Sequence, residues 1–244
     1  DPDVDVVYVA TPHPAHLPCA RLALEAGRHT VVEKPLALNA DQAAEIARLA
    51  AGRGRFCMEA LWTFFLPRFD IVRQLLDAGA LGEVRTVLAE YGEHFTAEHR
   101  ILRPHLAGGP LLDLGTYPVS LATWVLGPPA RVLVAGQPHP AGVNAQAAAI
   151  LCDPRGNQAV LHTTLLSNTP TTATIAGTHG TLTLPGPFYQ PGDLLLASAD
   201  GAQRLTFGEP RVAHDALHFE AAEAARCIAD GRLESPVRPL GESV

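Results

Sequence analysis

The strand-helix-strand pattern near the start of the chain is the feature that most constrains its fold. Residues 6–10 and 29–32 are apolar runs, and residues 14–26 between them have helical spacing and end at Gly27. Two strands joined by a helix predict a parallel pair. The second run ends in Glu33-Lys34-Pro35. We therefore expect an acid and a base at the carboxyl edge of a parallel sheet, where ligands bind.

The elements that follow predict two domains with a boundary near Leu66. Asn39 is expected to cap a helix over residues 40–51 that ends at Gly52, and residues 56–59 form the next strand. A linking helix over residues 67–78 leads into the second domain, and an amphipathic helix over residues 212–230 follows that domain's sheet. The predicted strands of that sheet cover residues 84–91, 130–136, 145–152, 158–166, 171–176 and 180–184, with a hairpin turn at residues 153–156.

The composition excludes several classes of function. The chain has 244 residues, of which 47% are hydrophobic and 18% charged, which is ordinary for a globular protein. A net charge of −7 without a cluster of Lys or Arg argues against a nucleic-acid partner. No apolar stretch reaches the length that spans a bilayer, and the four cysteines lie far apart. We expect reduced thiols, a cytoplasmic location and no membrane segment.

The eleven histidines raise the alternative of a metal site, which their spacing does not favour. His13 and His16 are close in sequence, and His214 and His218 lie one helical turn apart. A zinc site needs three or four converging ligands, and the second pair lacks the glutamate of an HExxH motif. We predict no metal site.

Two motifs carry a resemblance to a known family. The segment VVYVATPHPAHLPCARLALEAGRHTVVEKPLALN, which starts at Val6, resembles the second half of the nucleotide-binding domain of the Gfo/Idh/MocA oxidoreductases. The segment GGPLLDLGTYP, from Gly108 to Pro118, resembles that family's substrate site. The resemblance implies an α/β fold: the C-terminal half of a Rossmann-type parallel sheet in residues 1–66, then an α+β domain in residues 67–244 with a large, open, mostly antiparallel sheet. It also implies a homodimer formed through the exposed face of that sheet.

The resemblance further implies an NAD(P)-dependent dehydrogenase with NADP or NAD as cofactor. Its substrate would be a small molecule, and hydride would pass between the nicotinamide and a secondary alcohol of a sugar, cyclitol or dihydrodiol. The sequence lacks the glycine-rich turn that holds a dinucleotide pyrophosphate. We therefore expect a chain truncated at both ends. The alternative is an inactive remnant that acts only as a dimerising scaffold; a regulatory sugar sensor is disfavoured because Lys34 and Tyr117 are both retained.

Asp113 and Tyr117 are the candidate substrate-site residues. They stand four residues apart in a helix predicted over residues 110–127, so both side chains are expected on one helical face. Pro118 is expected to kink this helix and to leave the carbonyl of Leu114 free. The alternative is a surface aspartate and a core tyrosine, and the surrounding motif favours the functional interpretation.

A phenol ionises near pH 10 in water, so it serves as a base at neutral pH only beside a cation. We hypothesise that Tyr117 is the general acid and base and that Lys34 stabilises its phenolate. Asp113 would hydrogen-bond the substrate or the lysine. The alternative assigns the proton transfer to Lys34 itself. By resemblance, the three residues would converge from the two domains.

The cofactor-binding residues are assigned by resemblance alone. The family has an arginine two residues after its tryptophan, whereas this chain has Phe64 after Trp62. Arg68 or Arg103 are the alternatives for the role of that arginine in recognising an anion or the cofactor phosphate. No spacing in the sequence selects either of them. His16 and Glu33 also have ordinary interpretations, as a solvent-exposed residue at a helix start and as a strand-end residue. The residues assigned to the cofactor are Thr11, Pro12, His16, Glu33, Lys34 and Trp62.

Overall fold

The computed structural model describes residues 1–210 and 213–244, which fold into two compact units. The first unit consists of Asp1–Phe65, His105–Ala107 and Leu217–Val244, and the second of Leu66–Pro104 and Gly108–Ala216. The chain thus first passes to the second unit at Leu66. The segment from Leu217 onward belongs to the first unit, whereas the sequence analysis assigned all of residues 67–244 to the second domain.

The first unit is built on a three-stranded parallel sheet. Strands β1 (Val6–Val9), β2 (His29–Glu33) and β3 (Cys57–Ala60) pair in that order. Helix α1 (His16–Glu25) joins β1 to β2, and helix α2 (Ala40–Arg53) joins β2 to β3. The parallel pairing predicted from the strand-helix-strand pattern is confirmed.

The ends of these helices follow local sequence signals. The Asn39 side chain accepts a hydrogen bond of 3.0 Å from the backbone N–H of Gln42, as an N-cap does. The predicted helix end at Gly52 is wrong, because α2 continues to Arg53 and ends at Gly54, where φ is +59°. A left-handed residue at the end of a helix is usually glycine, and Gly52 lies within the helix.

Helix α1 starts later than predicted. A 3-10 turn at His13–Ala15 precedes it, so the helix predicted over residues 14–26 is divided at His16. Pro14 and Pro18 lack a backbone N–H. Pro18 therefore falls in the first turn of α1, where the N–H groups have no partner within the helix.

Helices cover both faces of the parallel sheet. Val32 packs with Ile46 of α2 on one face, and its neighbour Val31 packs on the other. The second face is covered by helix α6 (His218–Ala229), which contributes Ala224 to the cluster around Val31. This helix was predicted over residues 212–230, and Val212 lies outside the described residues. A 3-10 turn at Ala213–Leu217 leads into it.

The second unit is an eight-stranded sheet with three helices. Its strands follow the order β11-β10-β9-β8-β4-β7-β6-β5, and every neighbouring pair is antiparallel except β4 and β7. The predicted fold class, with a small parallel sheet and a large, mostly antiparallel one, is confirmed. No helix in the described ranges is both long enough and apolar enough to cross a bilayer. The elements are α3 (Pro67–Asp77), β4 (Val84–Gly92), α4 (Pro110–Asp113), α5 (Thr116–Leu126), β5 (Arg131–Pro138), β6 (Asn144–Cys152), β7 (Gln158–Thr164), β8 (Ala173–Gly177), β9 (Gly180–Leu184), β10 (Leu194–Ser198) and β11 (Arg204–Phe207).

Strands β10 and β11 were not predicted from the sequence. Both are short and lie at the edge of the sheet, and most side chains of β11 are exposed. Strand β10 pairs with β9, and β11 pairs with β10, so the strand conformation of both depends on hydrogen bonds to neighbouring strands. The run Leu194-Leu195-Leu196 does not alternate, so periodicity alone does not distinguish it from a buried helix segment.

The single helix predicted over residues 110–127 is wrong, because the structure divides it into α4 and α5. Asp113 is the last residue of α4, and Tyr117 is the second residue of α5. Pro118 therefore lies in the first turn of α5, where its missing N–H costs no hydrogen bond. The carbonyl of Leu114, which was expected to be free, accepts the N–H of Tyr117 at 3.2 Å.

Candidate active site

The carboxyl edge of the parallel sheet holds most of the residues assigned to a cofactor. Parallel strands end at the same edge, so Thr11 after β1, Lys34 after β2 and Trp62 after β3 lie at that edge. The Thr11 hydroxyl oxygen is buried and has no hydrogen-bond partner within the described residues. A buried hydroxyl of this kind is stabilised by a polar group that a ligand can supply.

His16 is completely buried, so the alternative of a solvent-exposed histidine is wrong. Its Nδ1 lies 2.8 Å from the carbonyl oxygen of Pro35, and its Nε2 lies 2.9 Å from that of Thr11. The His13 and His16 rings meet edge to face, with centroids 5.6 Å apart and 74° between their planes. His16 thus ties the loop after β1 to the loop after β2, at the residue that follows Lys34.

Glu33 belongs to a cluster that the sequence analysis did not find. The Tyr8 hydroxyl lies 2.8 Å from Oε1 of Glu33 and 3.1 Å from Oε1 of Glu220 in α6. Burial, together with the nearby charge of Glu33, raises the pKa of Glu220 to about 8. At neutral pH the Glu220 carboxyl group is therefore mostly protonated. No sequence signal indicated this cluster, because 187 residues separate Glu33 from Glu220.

A buried ion pair supports the loop after Lys34. Oε1 of Glu59 accepts the N–H of Leu36 at 2.9 Å, and Oε2 accepts Nε of Arg238 at 3.0 Å and the hydroxyl of Ser243 at 2.6 Å. The Arg238 guanidinium also lies over the ring of Phe64, 4.9 Å from its centroid. Arg238, from the C-terminal segment, thus contacts Phe64, which occupies the position of the family's arginine.

In the second unit, Asp113 is paired with Arg100. Nη2 of Arg100 lies 3.0 Å from Oδ2 of Asp113, whose carboxylate is almost completely buried while the arginine is half exposed. Gly108 makes this approach possible, because a Cβ there would lie 2.2 Å from the carbonyl oxygen of Ile101. That oxygen accepts the N–H of Gly109 at 2.7 Å, which fixes the turn bearing Arg100 beside α4.

Tyr117 is buried in a cluster of three tyrosines. Its ring stacks on that of Tyr189 with centroids 4.5 Å apart, and the Tyr91 ring lies 6.0 Å away. Tyr91 ends the central strand β4, and Tyr189 lies in the loop between β9 and β10. The alternative of a surface aspartate is wrong, since both Asp113 and Tyr117 are buried.

The two arginines considered as substitutes for the family's arginine after its tryptophan both lie in the second unit. Arg68 is buried and donates from Nη1 to the carbonyl of Gln190, so it supports a loop of the second unit. Arg103 is exposed. Arg100, which pairs with Asp113, is a further residue that the sequence did not indicate, because a loop gives no spacing rule.

The structure contains no group of three or more His, Cys, Asp or Glu side chains that could hold a metal ion, within residues 1–210 and 213–244. His214 lies in the 3-10 turn before α6, and His218 is the first residue of that helix.

Comparisons with known proteins identify both units as parts of an oxidoreductase family. Residues 1–61 match the family described as "Oxidoreductase family, NAD-binding Rossmann fold", and residues 69–183 match the "GFO/IDH/MocA C-terminal domain". The trans-1,2-dihydrobenzene-1,2-diol dehydrogenase of Bos taurus is 35% identical, over 100% of this chain and 74% of its own length. The human protein of that name is 34% identical over the same shares.

Solved structures share the fold along the whole chain. A 3-ketoreductase from Actinomadura kijaniata, in complex with NADP, has a TM-score of 0.84 and 26% identity, covering 100% of this chain and 75% of its own. An aldose-aldose oxidoreductase from Caulobacter crescentus has a TM-score of 0.87 and 24% identity, covering 100% and 74%. These matches confirm the predictions of an oxidoreductase and of NAD or NADP as cofactor. Because they extend along the whole chain, they argue against an inactive remnant.

Proposed function

The chain belongs to the Gfo/Idh/MocA family of NAD-binding oxidoreductases, and we propose that it oxidises a secondary alcohol of a sugar, cyclitol or dihydrodiol, or reduces the matching ketone. The names of its relatives support both substrate classes, since they include a dihydrodiol dehydrogenase and an aldose-aldose oxidoreductase. The observation that carries the proposal is the buried pair of Asp113 and Tyr117 within the motif GGPLLDLGTYP.

The first unit fits a nicotinamide dinucleotide. The unpartnered Thr11 hydroxyl and the Glu33 carboxylate suit ribose hydroxyl or amide groups, and both lie at the carboxyl edge of the sheet. We assign Thr11, Pro12, Glu33, Lys34 and Trp62 to the cofactor. His16 holds the backbone of this edge through its two carbonyl contacts. When bound, the nicotinamide supplies the hydride acceptor or donor.

The second unit supplies the groups for the alcohol. The ion pair with Arg100 compensates the charge of Asp113, whose carboxylate is the group proposed to orient a substrate hydroxyl. Tyr117 is the proposed acid and base that takes the hydroxyl proton during oxidation and returns it during reduction. The resemblance assigns Lys34 to the same hydroxyl, where its ammonium group favours negative charge on oxygen. The alternative in which Lys34 itself transfers the proton remains part of the proposal.

Kinetics of three variants test these roles. The protein is assayed with NADP⁺ or NAD⁺ and either an aldose or trans-1,2-dihydrobenzene-1,2-diol. Tyr117→Phe and Lys34→Met are each expected to lower kcat by about 10²-fold or more, as is usual for a lost acid or base. Asp113→Asn is expected to raise KM more than it lowers kcat. Full turnover in both Tyr117→Phe and Lys34→Met would refute the proposal, while full turnover in Tyr117→Phe alone would assign the proton to Lys34.

Lys34 also allows a test that does not depend on turnover. It is the only lysine in the sequence, so amine-specific labelling reports on this side chain once the N-terminal amine has been accounted for. We expect NADPH or NADH to slow the labelling of Lys34. Labelling at the same rate with and without the cofactor would remove Lys34 from the cofactor site. Lys34→Arg serves as the unlabelled control.

We also assign the open face of the large sheet to a homodimer. One row of side chains crosses this face from strand to strand, as the register of the paired strands shows. Four of its apolar members are between 40% and 46% exposed although they lie within strands, and Ile150 between them is partly buried. A patch of this kind on a globular protein usually marks an interface. The exposed apolar members are Leu88, Leu133, Val160 and Leu195.

A cytoplasmic location completes the proposal. None of the four cysteines, all of which the structure describes, forms a disulfide. Burial raises the pKa of the Cys57 thiol to about 12 and that of Cys227 to about 11, so neither is a reactive thiolate at neutral pH. Unreactive free thiols suit a reducing compartment.

A further inference from the structure

A chain of hydrogen bonds in the second unit runs through two tyrosines that the proposed reaction does not use. Nε2 of Gln190 lies 3.1 Å from the Tyr189 hydroxyl, which lies 2.8 Å from the Tyr91 hydroxyl. The Tyr91 hydroxyl in turn lies 3.1 Å from Oε2 of Glu93. The chain thus joins the loop after β9 to the end of the central strand β4.

The protons in this chain can point in one direction only. The Glu93 carboxylate accepts and cannot donate when ionised, so the single proton of Tyr91 is directed to it. Burial and the neighbouring Tyr189 raise the pKa of Tyr91, which keeps that proton in place. Tyr189 must then donate to Tyr91, and its own oxygen accepts from the amide of Gln190. Hydrogen bonds aligned head to tail in this way strengthen one another.

Tyr189 also forms the two stacked ring contacts of the tyrosine cluster. The Tyr189 ring stacks on Tyr91 at 4.8 Å with 18° between the planes, and on Tyr117 at 4.5 Å with 29°. The direct contact between Tyr91 and Tyr117 is longer, at 6.0 Å, and tilted by 45°. The hydroxyl of Tyr189 is therefore fixed by the hydrogen-bond chain, and its ring is the flat surface against which Tyr117 packs.

We propose that Tyr189 is a positioning residue for Tyr117: the chain from Glu93 through Tyr91 holds the Tyr189 ring, and that ring fixes the orientation of the Tyr117 phenol. This inference deepens the proposed function and rests on it, because positioning affects the rate only if Tyr117 acts on the substrate. Small displacements of a catalytic group are costly, and a shift of about 1 Å can lower the rate about 10²-fold.

Two substitutions separate the roles of the hydroxyl and the ring. Tyr189→Phe keeps the stacked ring and removes the hydrogen bonds to Tyr91 and Gln190. It is expected to lower kcat about 3- to 10-fold, because the ring keeps its stacking contacts while the two hydrogen bonds that fix it are lost. Tyr189→Leu removes the stacking as well, and kcat is expected to fall about 10²-fold. In both variants KM for the cofactor is expected to stay unchanged.

The pH profile of kcat distinguishes positioning from substrate binding. If Tyr189 positions Tyr117, the profile of Tyr189→Leu shifts along the pH axis, and Tyr189→Phe lies between it and the parent. Near-ultraviolet circular dichroism, which reports stacked tyrosines, is expected to weaken in Tyr189→Leu and to be largely retained in Tyr189→Phe. Phe207→Leu, on the edge strand β11 of the same unit, is the control and is expected to match the parent in kcat and in its pH profile.

Several outcomes would overturn the proposal. A Tyr189→Leu variant with the parental kcat and the parental pH profile would overturn it. A raised KM for the alcohol with unchanged kcat would also overturn it, because Tyr189 would then be a substrate-binding residue. If Tyr189→Leu does not fold, the single variants Tyr189→Phe and Glu93→Gln test the proposal instead. Parental kcat and parental circular dichroism in both of these variants would reject it. Failure of the proposed function is seen separately, as full turnover in both Tyr117→Phe and Lys34→Met.

Discussion

Replacing Arg238 with methionine is expected to destabilise the first unit strongly. Both members of the ion pair with Glu59 are buried, with side chains 3% and 4% exposed. Without Arg238, the Glu59 carboxylate keeps the Leu36 N–H and the Ser243 hydroxyl as its hydrogen-bond partners among the described residues. Removing one member of a buried pair costs about 3 to 5 kcal/mol, because the other charge stays buried without compensation. For a chain of this size the melting temperature should fall by about 6 to 20 °C.

Tryptophan fluorescence can follow the unfolding of the first unit, where Arg238→Met is expected to lower the stability. The sequence has two tryptophans, Trp62 in the first unit and Trp124 in the second. In a Trp124→Phe background, Trp62 alone reports the unfolding, and it belongs to the same 3-10 turn as Phe64, which contacts Arg238. Urea unfolding followed at Trp62 should show the midpoint of Arg238→Met shifted to lower concentration.

The double variant Glu59→Gln/Arg238→Met tests the electrostatic reasoning. A neutral amide removes the uncompensated charge and still accepts from Leu36, so the double variant should be more stable than Arg238→Met alone. Arg232→Met is the matched control, because its ion pair with Asp230 is half exposed and is worth about 1 kcal/mol or less. A loss below about 1 kcal/mol in Arg238→Met, or no recovery in the double variant, would refute the reasoning.

Two further predictions concern pH and assembly. The pKa of Glu220 is raised from 4.5 to about 8, so between these values the folded state holds a proton that the unfolded state releases. The free energy of unfolding should therefore fall as the pH rises through this window, and Glu220→Gln should flatten the dependence in chemical denaturation; an unchanged slope would contradict the assignment. Leu88→Glu should convert the proposed dimer to a monomer in analytical ultracentrifugation, because it places charge in the apolar row. Leu22→Glu, at an exposed position of α1, should leave the assembly state unchanged, and a Leu88→Glu dimer would exclude this face.

The sequence predicted well where the signal is local. The parallel strands, the Asn39 cap and the turn at residues 153–156 follow from periodicity and from the conformational preferences of single residues. In that turn Oδ1 of Asp153 accepts the N–H groups of Arg155 and Asn157, and Gly156 has a φ of +88°. The motif with Glu33-Lys34-Pro35 likewise placed Lys34 at the carboxyl edge of the sheet, because a residue after a parallel strand can lie nowhere else.

The sequence by itself thus determined the small parallel sheet, the edge that carries Lys34, and the candidate pair Asp113 and Tyr117, since each depends on neighbours along the chain. Only the tertiary structure decided what those residues contact. Arg100 on Asp113, Glu220 beside Glu33, and Tyr189 on Tyr117 all come from loops or from distant elements. These contacts depend on burial and on the pairing of segments far apart in sequence, for which single-chain periodicity carries no signal.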